Sequence, residues 1–293
     1  MSLSNLDKMA NEVIVSLSDV KSFFRKELST EFSSSEANIM FKMLACRFYN
    51  WHDSNYILNT NLVIQRDFLN YVRQVMEQLK NNIPFQYIYG SVEFYGLEIL
   101  VDNSVLIPRP ETEELVDWIL ENNNSSSFLD ICSGSGCIAL ALKSKRINSK
   151  VIGFDISEEA INLARKNAKS LELDVVFLKK DVFGTISMNE QFDLIVSNPP
   201  YIPTMEINEM TECVLKHEPH LALFVPNEDP LVFYKRIMGL SSKLLKSYGL
   251  IFFECNPNYI NQVAEDLQKY DLIFIEKKKD LQGKWRFLKA QKK

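Results

Sequence analysis

An alternation in the second half of the chain limits the fold more than any other feature of the sequence. Apolar, β-branched and aromatic runs occur at residues 128–131, 151–155, 175–178, 192–196, 250–254, 272–275 and 285–288, separated by stretches with helical spacing. Strands covered on both faces read as continuous apolar runs, and parallel neighbours need a crossover segment between them. The alternation therefore predicts an α/β domain built on a mostly parallel sheet.

The first part reads differently. Val13, Leu17, Val20, Phe24 and Leu28 recur at three- and four-residue intervals, the stripe of an amphipathic helix. Ser33 with Glu36 matches a capping box, and Met40, Phe41, Leu44, Ala45, Phe48 and Tyr49 continue at helical spacing behind it. A third stripe, Phe68, Leu69, Val72, Val75, Met76 and Leu79, is stopped by Asn81, Asn82 and Pro84. Residues 1–82 are thus expected to form a helical bundle that carries no catalytic motif and docks the substrate. Aromatic and β-branched residues around Gly90, Gly96 and Asp102-Asn103 predict a β-hairpin linker over 83–108, followed by the catalytic domain at 109–293.

Composition excludes several classes of function. A net charge of -5 and a pI near 5.4 repel a phosphate backbone at long range, and the lysines of 277–279 and 289–293 read as a solvated terminus. The longest apolar runs, 221–225 and 250–253, fall far short of the roughly 20 residues that span a bilayer. The first 20 residues carry Asp7 and Glu12 and no basic segment before an apolar one, so a cytoplasmic protein is expected. Five scattered cysteines without a CxxC pair fit reduced thiols. Cys213, His217 and His220 have near-helical spacing, but there is no evident fourth ligand and Pro219 intervenes, so no metal site is expected.

Three motifs carry chemistry. In the first, the apolar run ending at Asp130-Ile131 enters a turn of small residues, Cys132-Ser133-Gly134-Ser135-Gly136, and then a helix. Glycines there let the backbone approach a ligand at the carboxyl end of a strand. In the second, Asp155, followed by Ile156, ends the next strand, where an acid can accept both hydroxyls of an adenosine ribose. Ser157 then caps a helix beginning Glu158-Glu159. Gly134-x-Gly136-x-x-Ala139 equally fits a dinucleotide fingerprint. Asp130 favours the amino group of a methionine moiety and would repel a pyrophosphate, while Asp181, beside Val182, suits an adenine amino group. The third motif is Asn198-Pro199-Pro200-Tyr201 after an apolar strand. Two prolines leave no backbone donor at 199 and 200, so the loop is stiff and presents carbonyl acceptors. Such a loop receives an NH2 group: Asn198 and the Pro199 carbonyl each accept one hydrogen, and Tyr201 can stack on the planar group.

On these residues the chain resembles the superfamily of N6-adenine and N5-glutamine methyltransferases. The segments 84–90 (PFQYIYG), Glu93-Phe94, 105–113 (VLIPRPETE) and Glu218-Pro219 make it closely similar to the PrmC/HemK family of protein-(glutamine-N5) methyltransferases. The resemblance implies a class I S-adenosylmethionine-dependent methyltransferase fold with a seven-stranded, mostly parallel sheet, an N-terminal helical bundle and a hairpin linker. It also implies S-adenosyl-L-methionine as cofactor, peptide chain release factors as protein substrates, and the glutamine of their Gly-Gly-Gln motif as acceptor. Asn198, Pro199, Pro200 and Tyr201 would hold that acceptor, with Arg109 and Glu111 beside them. Arg109 is equally well explained as a salt-bridge partner. The chain departs from the family at Cys132-Ser133, in place of Gly-Thr, where Cys132 would narrow the cofactor turn. It also departs at 254–257 (ECNP), in place of Glu-Ile-Gly, and at 223–229, in place of a Gly-rich stretch.

The expected mechanism needs neither a nucleophilic residue nor a metal. It needs an amide nitrogen held in line with a sulfonium methyl and stabilised as it gains positive charge. One rival is a nucleic-acid amine methyltransferase acting on adenine N6 or guanine N2, which uses the same loop but is disfavoured by the acidic pI. Another is an NAD-dependent or non-catalytic nucleotide-binding protein, which leaves 198–201 without a role.

Overall fold

The computed structural model describes residues 15–122 and 125–293. The chain divides into two compact units, one ending at Tyr89 and one spanning Gly90–Lys293.

The described part of the first unit is helical: α1 (Leu17–Glu27), α2 (Ser34–Tyr49), α3 (Asp53–Leu58), α4 (Arg66–Lys80) and α5 (Phe85–Tyr89). Both α1 and α2 start in capping boxes: Ser16 and Ser33 accept the N–H three residues on, and Asp19 and Glu36 accept the N–H of the capping serine. The predicted stripes face inward. Leu17, Val20, Phe24 and Leu28 are buried, and so are all six apolar residues predicted for α4. Val13 lies outside the described residues. Phe41 meets Phe24 at 5.6 Å and Phe68 at 5.9 Å in tilted and edge-on contacts, the arrangement favoured by ring quadrupoles. Residues 85–89 are helical where a strand was expected. Pro84 presets the backbone of a first turn, its carbonyl accepts from the N–H of Tyr87 and Ile88, and Phe85 stacks on Tyr89 one turn later.

The second unit opens with the hairpin β1 (Ser91–Phe94) and β2 (Leu97–Leu100), closed at Tyr95 and Gly96, both at positive φ. This hairpin is part of the second unit and not a separate linker. Buried Asn167 fastens it: its Oδ1 accepts from Leu100 N–H at 2.8 Å, and its Nδ2 donates to the Leu100 carbonyl and, at 3.0 Å, to that of Ser135. Next come α6 (Pro110–Asn122), β3 (Ser127–Ile131), α7 (Cys137–Lys145), β4 (Lys150–Asp155), α8 (Glu158–Ser170), β5 (Val176–Lys179) and β6 (Phe192–Ser197). A two-residue strand pair, β7 (Ile202–Pro203) with β8 (Phe224–Val225), brackets α9 (Glu212–His217). The chain continues through α10 (Val232–Leu244), β9 (Leu245–Glu254), α11 (Ile260–Asp266), β10 (Leu272–Lys279) and β11 (Trp285–Lys292).

The main sheet has the order β10-β11-β9-β6-β3-β4-β5. Its pairings are parallel from β9 to β5, and β11 is antiparallel to both neighbours. All seven predicted runs are strands of this sheet. Chain order reverses between β3 and β6, and at such a switch point the carboxyl ends of the strands open into a ligand crevice. Of the lysines expected on a solvated terminus, those at 277–279, 289 and 292 lie on paired strands, with Lys277 opposite Leu288 and Lys289 opposite Phe252, while Lys293 is exposed beyond β11. Apolar alternation in β11 anchors them to the core through Phe287, Leu288 and Ala290.

Candidate active site

The turn between β3 and α7 is made of unusual backbone. Gly136, at φ +81°, starts α7, and a Cβ there would meet the Phe177 ring at 2.5 Å. Gly134, at φ +53°, faces open space. Cys132 also has positive φ, +63°, a conformation that costs a non-glycine residue about 1–2 kcal/mol. Glycine would adopt this conformation without that cost. The N–H groups of Cys132 and Ser133 donate to the Phe154 carbonyl at 3.0 and 3.2 Å, tying the turn to β4. At the end of β4, Asp155 accepts from Gly134 N–H at 2.9 Å and from Ser157 N–H at 3.0 Å. Burial raises its carboxyl, and these N–H bonds oppose the rise.

Beneath the turn Asp130 is 0% exposed. Its Oδ2 accepts from Ala139 N–H in the first turn of α7, and burial pushes the carboxyl up to about 8. Its Oδ1 and the Ser133 hydroxyl are buried without a hydrogen bond from the described residues.

A cavity of about 440 Å³ opens above the turn. It brings together Cys132, Ser133, Gly134, Ser135, Asp155, Ile156, Asp181 and Val182 from the predicted cofactor set, with Asn198 and Pro200 at its other end. Asp130 and Gly136 lie behind this lining and not in it. The carboxylates of Asp155 and Asp181 are hydrogen-bond acceptors, whereas Ile156, Val182 and Phe183 offer apolar surface to a flat ring. Phe183 N–H donates to Asp181 at 2.8 Å, and Arg236 donates to the carbonyls of Val182 and Gly184 at 2.6 Å each, so the loop is held in shape. Open space at Gly134, two acceptor carboxylates and an apolar slot fit an adenosyl group carrying a charged amino acid end.

A second cavity, of about 200 Å³, is lined by Leu106, Arg109, Pro199, Tyr201, Val214 and Glu254 among others. Asn198 and Arg109 line both cavities, so the loop after β6 stands at their junction. Asn198 Nδ2 donates to the Thr112 hydroxyl at 3.3 Å, and Thr112 donates to Glu254 Oε2 at 2.8 Å. Tyr201 donates its phenol proton to Glu254 Oε1 at 3.2 Å. Burial pushes the Glu254 carboxyl up, and the Thr112 bond, the nearby Arg286 charge and the Tyr201 bond pull against it. Burial, then the Glu254 charge, raises the Tyr201 phenol far above its ordinary range. From the departing segment 254–257, Asn256 Nδ2 donates to the Tyr201 carbonyl at 3.2 Å, so the altered residue braces the loop.

Arg109 pairs with the buried carboxylate of Glu218 at 2.6 Å, and Glu218 also accepts from Ile107 N–H. The two segments at 105–113 and 218–219 are thereby one structural unit. Glu111 lines neither cavity, and its carboxylate accepts from Gln282 at 2.9 Å. Among the described residues no three His, Cys, Asp or Glu side chains gather as a metal group. The thiols beside the larger cavity are neutral: burial holds Cys132 well above its usual value and Cys137 at about 12. Sequence reasoning assigned no role to Thr112 or Glu254. The signal for Glu254 was an acidic residue ending a strand at the carboxyl edge of the sheet. Thr112 gave no comparable signal, because its partners lie 86 and 142 residues away.

Comparison with known proteins agrees with this architecture. Residues 111–221 match the Methyltransferase small domain family. Among solved structures, a methyltransferase from Pyrococcus furiosus is similar, with a TM-score of 0.50 at 20% identity over 67% of this chain and 88% of that one. The fold is that of class I S-adenosylmethionine-dependent methyltransferases. The release factor glutamine methyltransferase of Flavobacterium psychrophilum is 37% identical over 91% of this chain and 96% of its own length. That of Bacteroides thetaiotaomicron is 37% identical over 93% and 99%, and that of Streptococcus pneumoniae 41% identical over 87% and 90%. With that identity spread along both units, the chain belongs to the release factor glutamine methyltransferase family.

Proposed function

We propose that this chain transfers the methyl group of S-adenosyl-L-methionine to the side-chain amide nitrogen of the glutamine in the Gly-Gly-Gln motif of peptide chain release factors. The observation that carries the proposal is the attitude of Asn198, which lines both cavities and spends its own NH2 on Thr112. Its Oδ1 is then left to accept a hydrogen from an incoming NH2. The Pro199 carbonyl takes the other hydrogen, and Pro200, without an N–H, brings no competing donor. Two acceptors on one NH2 orient the nitrogen lone pair away from the loop and toward the larger cavity. They also stabilise positive charge as it develops on nitrogen. The cofactor, when bound, supplies the electrophilic methyl on a sulfonium centre. Asp155 and Asp181 hold its ribose and adenine ends, and Ile156 and Val182 pack the ring. Asp130 acts from behind, supporting the turn of Cys132, Ser133, Gly134, Ser135 and Gly136. The proton leaves the product amide to water, and no side chain is assigned as base. Tyr201 closes the wall of the acceptor cavity while its hydroxyl is held by Glu254. Arg109, at the junction, orients the approaching peptide while paired with Glu218, and Glu111 supports the same helix start. Residues 1–82 dock the folded factor.

The test is incubation of the full chain with a release factor and methyl-labelled S-adenosylmethionine, followed by fragmentation mass spectrometry. Label on the Gly-Gly-Gln glutamine is expected. Label found only on nucleic acid, or binding of NAD without response to S-adenosylmethionine, overturns the proposal.

A further inference from the structure

We infer that Thr112 is a positioning residue that fixes which way round the Asn198 amide stands, with Glu254 setting the direction of the hydrogen bonds behind it. The inference deepens the function proposed above and takes only the identity of the acceptor from it.

A primary amide is nearly symmetric in shape but not in chemistry. A half-turn of the Asn198 side chain would exchange Oδ1 for Nδ2 and present a donor to an NH2 that needs an acceptor. Nothing within asparagine chooses between the two. A hydroxyl alone does not choose either, because Thr112 Oγ1 can give a hydrogen to Oδ1 or receive one from Nδ2. Glu254 removes the ambiguity. It is 2% exposed at the end of β9, its Oε2 lies 2.8 Å from Thr112 Oγ1, and its Oε1 accepts from Tyr201. A carboxylate only accepts, so the single hydrogen of Thr112 is directed to Glu254 and lone pairs alone face Asn198. The order of donation is Asn198 to Thr112 to Glu254, with Tyr201 donating to the same carboxylate from the other side. Three elements supply the four residues: α6 the threonine, the loop after β6 the asparagine and tyrosine, and β9 the carboxylate. Thr112 could instead be ordinary helix packing. The residue, however, is only 2% exposed, and its hydroxyl bridges two other elements by hydrogen bonds to Asn198 and Glu254.

Variants of Thr112 and Glu254, followed by kinetics and by exchange at the Asn198 amide, test this. Thr112→Val keeps the shape and removes the hydroxyl; kcat is expected to fall about tenfold or more, with unchanged calorimetric affinity for S-adenosylmethionine. Thr112→Ser restores the hydroxyl, and activity within about threefold of the parent is expected. Glu254→Gln, which can donate, is expected to lower kcat in the same way and serves if Thr112→Val does not fold. The second readout needs no acceptor: the side-chain NH2 resonance of Asn198, identified by its loss in Asn198→Ala, exchanges with solvent faster in Thr112→Val than in the parent or Thr112→Ser. Unchanged kcat together with unchanged Asn198 exchange in Thr112→Val overturns the inference. If the parent methylates no glutamine while Asn198 exchange still depends on Thr112, the proposed function fails and the positioning role stands.

Discussion

The turn at 132–136, proposed to hold the cofactor, and the loop at 198–201, proposed to hold the acceptor, are built from opposite materials. The turn at 132–136 is made of backbone: positive φ at Cys132, Gly134 and Gly136, with N–H groups tied to Phe154 and Asp155. The loop at 198–201 has two residues without an N–H, and side chains from distant elements hold it: Thr112, Glu254 and Asn256. A site made from backbone accepts a change of side chain provided the conformation survives, which is how Cys132 can stand at a positive φ that favours glycine. A site made from side chains depends on particular atoms. The loop should therefore respond to small substitutions chiefly in turnover, and the turn chiefly in stability and affinity.

The largest effect that would test this contrast is at Asn198. Asn198→Ala is expected to lower turnover by roughly a hundred- to a thousandfold, about 3–4 kcal/mol, as for loss of one preorganised partner of a developing charge. Calorimetry should find the affinity for S-adenosylmethionine changed by less than about threefold. If affinity falls as much as turnover, the two regions do not divide the work. On the turn side, Asp155→Ala should weaken S-adenosylmethionine about ten- to more than a hundredfold by removing charge-assisted hydrogen bonds worth roughly 1.5–3 kcal/mol. Its residual turnover at saturating cofactor should stay closer to the parent than that of Asn198→Ala.

Smaller effects sharpen the comparison. The Asp130 carboxyl, raised to about 8 by burial, keeps its proton in the folded protein at pH values where the unfolded chain has lost it. Its stabilising contribution is full below the ordinary carboxylate range and is lost as pH rises through about 8. Urea unfolding of parent and Asp130→Asn at pH 5 and pH 8 should give a stability difference that changes by at least about 1.4 kcal/mol in favour of the variant at the higher pH. No change between the two pH values would mean that Asp130 is ionised in place. The smallest expected effect is at Cys132. Cys132→Val, β-branched at φ +63°, should lose about 1–2 kcal/mol, while Cys132→Gly should gain up to about 1 kcal/mol in thermal unfolding. Equal melting of both variants would remove the strain argument.

What could be read from the sequence follows the same division. The inner strands β3, β4 and β6 were legible because they are buried nearly throughout and so carry continuous apolar runs, whereas the outer strands β5 and β10 were legible from β-branched and aromatic residues although much of their surface is exposed. Capping boxes at Ser16 and Ser33 are local by construction, although only the second was recognised. The loop at 198–201 stood out in the sequence because the residues proposed to receive the amide are four consecutive ones, and the structure seats them along two cavities. Thr112 and Glu254 acquire their role only when α6 and β9 come together at the end of β6, and no spacing in the chain encodes that meeting. The pairing of Arg109 with Glu218 was hidden for the same reason, though each lay in a segment already singled out. Residues 85–89 misled because aromatic residues favour strands on average, whereas here Pro84 begins a turn and Phe85 and Tyr89 stack along a helix. The lysines of β10 and β11 misled because a run of like charge reads as solvated chain, and strand pairing with the core-anchored β11 overrides that reading.

Those lysines also bear on colloidal behaviour. β10 is the outer strand of the sheet, and Ile273, Phe274 and Ile275 are all exposed on it. Three consecutive apolar side chains beside unpaired backbone groups are a template on which a second molecule can add a strand. A register shift between Phe274 and Glu276 breaks the regularity of that edge, and Lys277, Lys278 and Lys279 follow at once. A bulge and a run of charge at a sheet edge both oppose the addition of a further strand. Masking those ammonium groups by acylation leaves every catalytic atom in place and removes the electrostatic barrier that keeps one sheet from continuing into the next.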